Sequence, residues 1–225
     1  MQKHFTAILV SLFILGCTDK KQTGPTQGLV RYSIDYPDEI KSKPIFGLLP
    51  VEMDLLFDTT AVKLAVKGDL NLFSLEFLSR AKGDSCFTIF RMPTKRMVYQ
   101  LGKDEKWFLF EEGTLPEPKL HPDSLKNIAG FDCRLVEFRY KSDSRLAATA
   151  FFTDQLSVDP SLFRMPFRKI PGVPMEFEVD FNGLIFKFKA QKFLPFPSDE
   201  KMILPAEYEI TSRKEIRSII DYFLD

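Results

Sequence analysis

Histidine is nearly missing from this chain, with two residues in 225. His4 lies in an N-terminal apolar stretch, which leaves His121 alone in the rest of the sequence. A histidine-based zinc or iron site needs partners that the chain does not contain, so no metal or cofactor is expected. Tryptophan occurs once, at Trp107, and cysteine three times. Neither charge dominates: 31 basic residues stand against 31 acidic ones. No basic excess points to nucleic acid, and no acidic tail is present. The glycine spacings of a P-loop, a dinucleotide fold or a G-x-S-x-G elbow do not occur, which leaves nucleotide binding and esterase chemistry without support. The run His121-Pro122-Asp123-Ser124 holds triad residue types. Triads are assembled from separated segments, however, and a solvated turn is the expected reading. Paired-carboxylate catalysis would need converging acids. The acidic residues here mostly alternate outward from predicted strands, as on a wet sheet face.

One short apolar run is present. Phe5 to Leu15 follows Lys3 and ends in Ile14-Leu15-Gly16-Cys17. It falls well short of the roughly 20 residues a spanning helix needs. Lys3, the apolar core and the last four residues resemble a bacterial lipobox, in which Gly16 precedes a lipidated Cys17. The resemblance is to lipoproteins cut by the lipoprotein signal peptidase. It implies residues 1–16 as a signal peptide, an acyl (palmitate-type) anchor on Cys17, and a polar tether over 17–27 leading to a single domain over 28–225. Two or more acyl chains anchor a domain stably, at ~0.8 kcal/mol per buried CH₂. Thr18, not Asp, follows Cys17. By family analogy this favours the outer membrane of a Gram-negative envelope, facing the periplasm or the surface.

The remaining cysteines, Cys86 and Cys133, form an even pair in an exported chain, which invites a disulfide. Two buried thiols acting as small hydrophobes are the alternative.

Period-two alternation is the dominant pattern. Val30, Tyr32, Ile34 and Tyr36 share one face, as do Val51, Met53, Leu55 and Phe57, and Val62, Leu64 and Val66. Residues 70–79, 86–91, 96–101 and 107–111 continue the series. Residues 133–140 and 146–153 read as a hairpin. Asn182-Gly183 predicts a type I′ turn. It pairs Phe181 with Leu184, Val179 with Phe186, Phe177 with Phe188, and Met175 with Ala190 on one face. Glu178–Lys187 and Glu176–Lys189 then pair on the other. Residues 37–50 and 113–127 read as irregular; Pro116, Pro118 and Pro122 exclude the latter from any central strand. A short helix is expected near 160–167. Ser212 and Glu215 form a capping box that opens a closing helix with Ile216, Ile219, Ile220 and Phe223 on one side. The fold class is therefore mainly β (α+β), with one or two short helices and a C-terminal helix. The 23 phenylalanines serve either a sheet core or a cavity for an apolar ligand. Trp107 serves either as a core aromatic or as a platform for a sugar or lipid tail.

The order Ile128-Ala129-Gly130-Phe131-Asp132-Cys133, Ala150-Phe151-Phe152-Thr153-Asp154, Ile170-Pro171-Gly172-Val173-Pro174 and Ile203-Leu204-Pro205-Ala206-Glu207-Tyr208 resembles an uncharacterised group of bacterial envelope lipoproteins with a GY-x-C … Y-T … PG-x-P pattern. Phe131 replaces the usual Tyr. That group is similar in fold to the LolA/LolB-like periplasmic lipoprotein carriers. The resemblance implies a strongly curved antiparallel sheet or half-barrel whose apolar face is covered by helices and can hold acyl chains. It implies no catalytic residues. On this basis Phe177, Val179, Phe186 and Phe188 are the candidate apolar ligand face. A non-enzymatic, monomeric envelope protein binding lipid or another lipoprotein is the expected function. A module scaffolding envelope proteins is the alternative, and a hydrolase is third.

Overall fold

The computed structural model describes residues 24–68, 72–81, 85–102, 105–107, 116–139, 146–164, 166–181, 183–195 and 202–224. Cys17 and the stretch around it lie outside the described residues. Among the described residues twelve strands form one open, mostly antiparallel sheet. The first six are β1 (Gly28–Asp35), β2 (Glu52–Phe57), β3 (Ala61–Lys67), β4 (Ser74–Arg80), β5 (Ser85–Met92) and β6 (Lys95–Gln100). Then come β7 (Pro118–Ile128), β8 (Phe131–Arg139), β9 (Leu146–Thr153), β10 (Val173–Phe181), β11 (Leu184–Leu194) and β12 (Glu209–Ile210). Two helices accompany them, α1 (Asp38–Lys41) and α2 (Arg213–Leu224).

The spatial order is β12-β6-β5-β4-β3-β2-β1-β11-β10-β9-β8-β7. Two meanders, β1–β6 and β7–β11, are joined where β1 pairs with β11 as well as with β2. Among the described strands only β12 runs parallel to its neighbour, through Glu209 and Ile210 beside Met97 and Val98. Among the described residues no helix is long and apolar enough to cross a membrane.

The β10–β11 hairpin has the register that its sequence predicts. Phe181 faces Leu184, Val179 faces Phe186, Phe177 faces Phe188, and Glu178 and Glu176 face Lys187 and Lys189. Gly183 sits at φ 83, the left-handed region that a type I′ turn requires. The β7–β8 turn uses the same device, with Ala129 at φ 52 and Gly130 at φ 88. The Ile128–Cys133 phrase is thus a hairpin tip with its flanking residues. β8 and β9 pair as expected. At α2, Glu215 N–H donates to Ser212 Oγ at 3.2 Å. The Glu215 carboxylate instead accepts from Thr211 Oγ1 at 2.6 Å and meets Lys95 at 3.4 Å.

Three expectations are corrected. The proline-bearing stretch before Asn127 is a strand from Pro118 onward, not an irregular loop. Its position as the last strand explains this, because an edge strand tolerates a missing N–H. Pro122 falls in the register shift between His121 and Leu125. His121 therefore lies in a strand, with Nε2 3.1 Å from Glu137 Oε2. Residues 37–50 hold α1 and a 3-10 turn over Pro44–Leu48. Tyr36, Ile40 and Leu49 make a small core there with Phe186. Trp107 lies outside any strand, and 108–111 fall outside the described residues. The expected helix near 160–167 is present as two 3-10 turns, Pro160–Leu162 and Pro166–Lys169.

Replacing Gly183 with Ala forces a Cβ into a left-handed backbone and should cost about 1–2 kcal/mol. Urea unfolding measures it; an unchanged midpoint would show that the turn does not set the register.

Candidate functional site

The alternating strands sort their side chains onto two faces. The inner face carries one continuous apolar cluster drawn from both meanders, including Val30, Leu55, Phe77, Phe90, Phe138, Phe152 and Phe177. Phe177, Val179 and Phe188 are buried in it and Phe186 is half-buried, so the four residues predicted as a ligand face do lie together. Phe177 stacks on Phe188 at 5.0 Å, and Tyr32 meets Phe177 edge-on at 5.9 Å. Tyr32 Oη–H donates to Pro174 O at 2.9 Å. Burial, together with the nearby Cys133, pushes the Tyr32 phenol far above its usual range, which holds it protonated as a donor.

This face is covered by segments outside the sheet. The stretch from Leu156 to Ile170 sends down Leu156, Val158, Leu162, Phe163, Phe167 and Ile170. Phe167 touches Phe177 at 5.3 Å and Phe138 at 5.7 Å. Trp107, on the connection after β6, stacks on Phe77 at 5.7 Å and is fully buried, as a core aromatic. Helix α2 adds Ile216, which is buried, with Ile219 and Ile220 alongside. Phe177, at the centre of the predicted ligand face, is thus in contact with the protein's own cover.

Helix α2 is latched through Glu105. Arg213 pairs with that carboxylate, Tyr99 Oη–H donates to it at 2.7 Å, and Gly102 N–H donates at 2.8 Å. Burial pushes the Glu105 pKa up, but the Gly102, Tyr99 and Arg213 contacts outweigh it and hold it below the usual carboxylate range.

Cys86 and Cys133 are both buried free thiols in this structure. Cys86 Sγ lies 3.2 Å from Ser79 Oγ and accepts from Arg164 Nε at 3.2 Å. Cys133 Sγ donates to Phe131 O at 3.4 Å. Burial pushes the Cys133 thiol up to about 11, which disfavours the reactive thiolate at neutral pH.

The outer face departs from the expected wet surface. Leu78, Ile89, Val98 and Ala61 form a second core there, capped by Met202 and Leu204. Beside it Lys63 and Glu76 are each only 4% exposed. Their charged atoms lie 3.5 Å apart, and Arg91 Nε approaches Glu76 at 2.9 Å. A cleft of about 590 Å³ opens over this pair. Lys63, Lys67, Arg91 and Arg96 line it against the single carboxylate of Glu76, and Phe73, Met92, Ile203, Leu204 and Pro205 supply its apolar walls. Burial and the neighbouring Lys63 push the Lys67 pKa down. Sequence reasoning missed this cleft because each charge alternates outward like an ordinary surface residue. The apolar outward positions Ala61, Leu78, Ile89 and Val98 were the available sign of a covered face.

No family model matches this chain, and no curated protein matches it. Solved structures do. The chain is similar to MucB, at 9% identity over 83% of this chain and 60% of that one, with a TM-score of 0.33. It is similar to LprF from Mycobacterium bovis, at 9% identity over 81% and 92%, with a TM-score of 0.32. A DUF1329 family protein from Desulfovibrio piger aligns at 11% identity over 77% and 87%, with a TM-score of 0.33. The chain therefore spans less than two thirds of the length of MucB.

Two outcomes follow from the site. Glu76→Ala removes the buried carboxylate that Lys63 and Arg91 share and should destabilise the fold by about 3 kcal/mol, read by urea unfolding. Because the Glu105 pKa is depressed, the latch is complete at neutral pH and is lost as the pH falls through that pKa. Binding of an apolar dye should rise on acidification, and Glu105→Gln should raise it already at neutral pH. Dye binding that ignores both would exclude the latch.

Proposed function

We propose that this chain is a non-enzymatic, lipid-anchored envelope protein that receives acyl chains between the inner sheet face and its cover. One observation carries the reading. The apolar inner face is closed by elements outside the sheet, the Leu156–Ile170 stretch and α2, and not by a second sheet. Such a cover can be displaced without breaking a strand pair, whereas opening a sheet sandwich would cost many backbone hydrogen bonds. Phe177, Val179, Phe186 and Phe188 are the surface an acyl chain would meet once Phe167 withdraws. The anchor reading rests on Ile14-Leu15-Gly16-Cys17, and Thr18, by analogy with such lipoproteins, favours the outer membrane of a Gram-negative envelope over inner-membrane retention. The ligand is a lipid, or the acyl chains of another lipoprotein, and the protein acts as a monomer.

The alternative is a module that scaffolds envelope proteins. It is favoured by the ring contacts of the closed state, in which Phe167, Phe177 and Phe188 already fill the space between sheet and cover.

Native mass spectrometry of the delipidated full chain, offered fatty acids and short phospholipids in an exchangeable detergent, separates the two. Uptake of an acyl ligand at defined stoichiometry is expected. A chain that never takes one up, yet crosslinks to a protein partner in cells, would establish the scaffold.

A further inference from the structure

We infer that residues 24–27 are a strap that holds the inner-face cover at its pivot, so that displacing the segment leading back to Cys17 frees the cover. This regulation rests on the reading that acyl chains enter beneath that cover. The Leu156–Ile170 part of the cover belongs to a loop with neighbouring feet. The loop leaves the sheet after Thr153, at the end of β9, and returns at Val173, the register partner of Thr153 at the start of β10. The chain between those residues can swing about one point without breaking a strand pair.

The first foot is fixed from the sheet. Gln155 N–H donates to Thr153 Oγ1 at 3.2 Å, and Gln155 Oε1 accepts from Asp132 N–H at 3.0 Å. Leu156 and Val158 then turn into the core. The segment before β1 crosses this foot. Ser157 N–H donates to Pro25 O at 2.9 Å. Gly24 lies so close to Gln155 that an added Cβ would fall on the Gln155 carbonyl oxygen. Residues 25–27 are exposed, so the strap is held by this hydrogen bond and this close approach, with little apolar burial. A segment held so lightly opens more readily than the paired strand β1 that follows it. Farther along the loop, Arg164 O accepts from Trp107 N–H at 3.1 Å, which steadies its middle. Gly24 stands seven residues after Cys17, at most about 25 Å of chain. A lipid on Cys17 would therefore keep the pivot close to the bilayer, and a pull on that short stretch meets Pro25 before it meets β1.

Hydrogen–deuterium exchange of the full chain in a non-ionic detergent, resolved to single amides, tests the strap. In the wild-type chain the Ser157 amide should exchange together with those of Leu162, Phe163 and Ile170, which bond within the cover. All four should exchange faster than the amides of β3 and β4, as one opening unit. Gly24→Ala should accelerate the four by at least about fivefold, the worth of one net backbone hydrogen bond. It should leave β3 and β4 unchanged. Independent exchange of Ser157 and the cover in the wild-type chain would overturn the proposal, and this comparison needs no variant. A Gly24→Ala chain whose cover keeps its wild-type rate would overturn it too. No ligand enters either measurement, so the two readings fail separately. Coupled exchange in a chain that takes up no acyl ligand keeps the strap and removes the carrier function, whereas uptake without coupled exchange removes the strap alone.

Discussion

The pairing of β1 with both β2 and β11 holds the two halves of the molecule in one sheet. Each meander is local, built from strands that follow one another, and such hairpins form with little loop-closure cost. Joining them brings Leu29 beside Leu194 and Asp35 beside Lys187. Tyr32 reinforces the seam from within. Its ring lies on the inner face and its hydroxyl reaches the Pro174 carbonyl on β10, skipping the intervening strand β11. The register shift between Arg31 and Tyr32 sits at the same place. Without this seam there would be two curtains of strands, each with an unprotected edge.

Once the seam is made, the two faces acquire different chemistry for one physical reason: side chains alternate, and each face is then covered by whatever chain remains. The inner face receives the aromatic side chains, whose rings meet in edge-on and stacked pairs 5 to 6 Å apart. Its cover is α2 and the two 3-10 turns, held by a few apolar anchors and the Glu105 cluster. The outer face of β3 to β6 receives the 202–206 segment, which buries Leu78 and Ile89 but leaves charged groups beside a cleft.

Much of the fold was legible locally. Asn182-Gly183 admits one comfortable turn, and the alternation of Phe177, Val179, Phe186 and Phe188 against Glu178 and Lys187 admits one register. Ser212 marked the start of α2 because a hydroxyl there can accept from Glu215 N–H. The strand β7 was hidden because proline reads as an interruption unless the strand's edge position is known. Glu76 was hidden for a related reason. Its neighbours along the chain are those of an exposed strand position, and only β3, β5 and a distant segment make it buried.

The order of residues alone determined the strands' two-sidedness, the hairpin turns and the closing helix, because each depends on contacts within about a dozen residues. The three-dimensional arrangement decided which face is covered and by what, that Cys86 and Cys133 sit as separate buried thiols, and that Lys63, Glu76, Arg91 and Arg96 share a cleft. Those outcomes depend on which distant strands become neighbours. Pairing energy is nearly the same for many partners, and shape and burial settle the choice only when the whole chain has condensed.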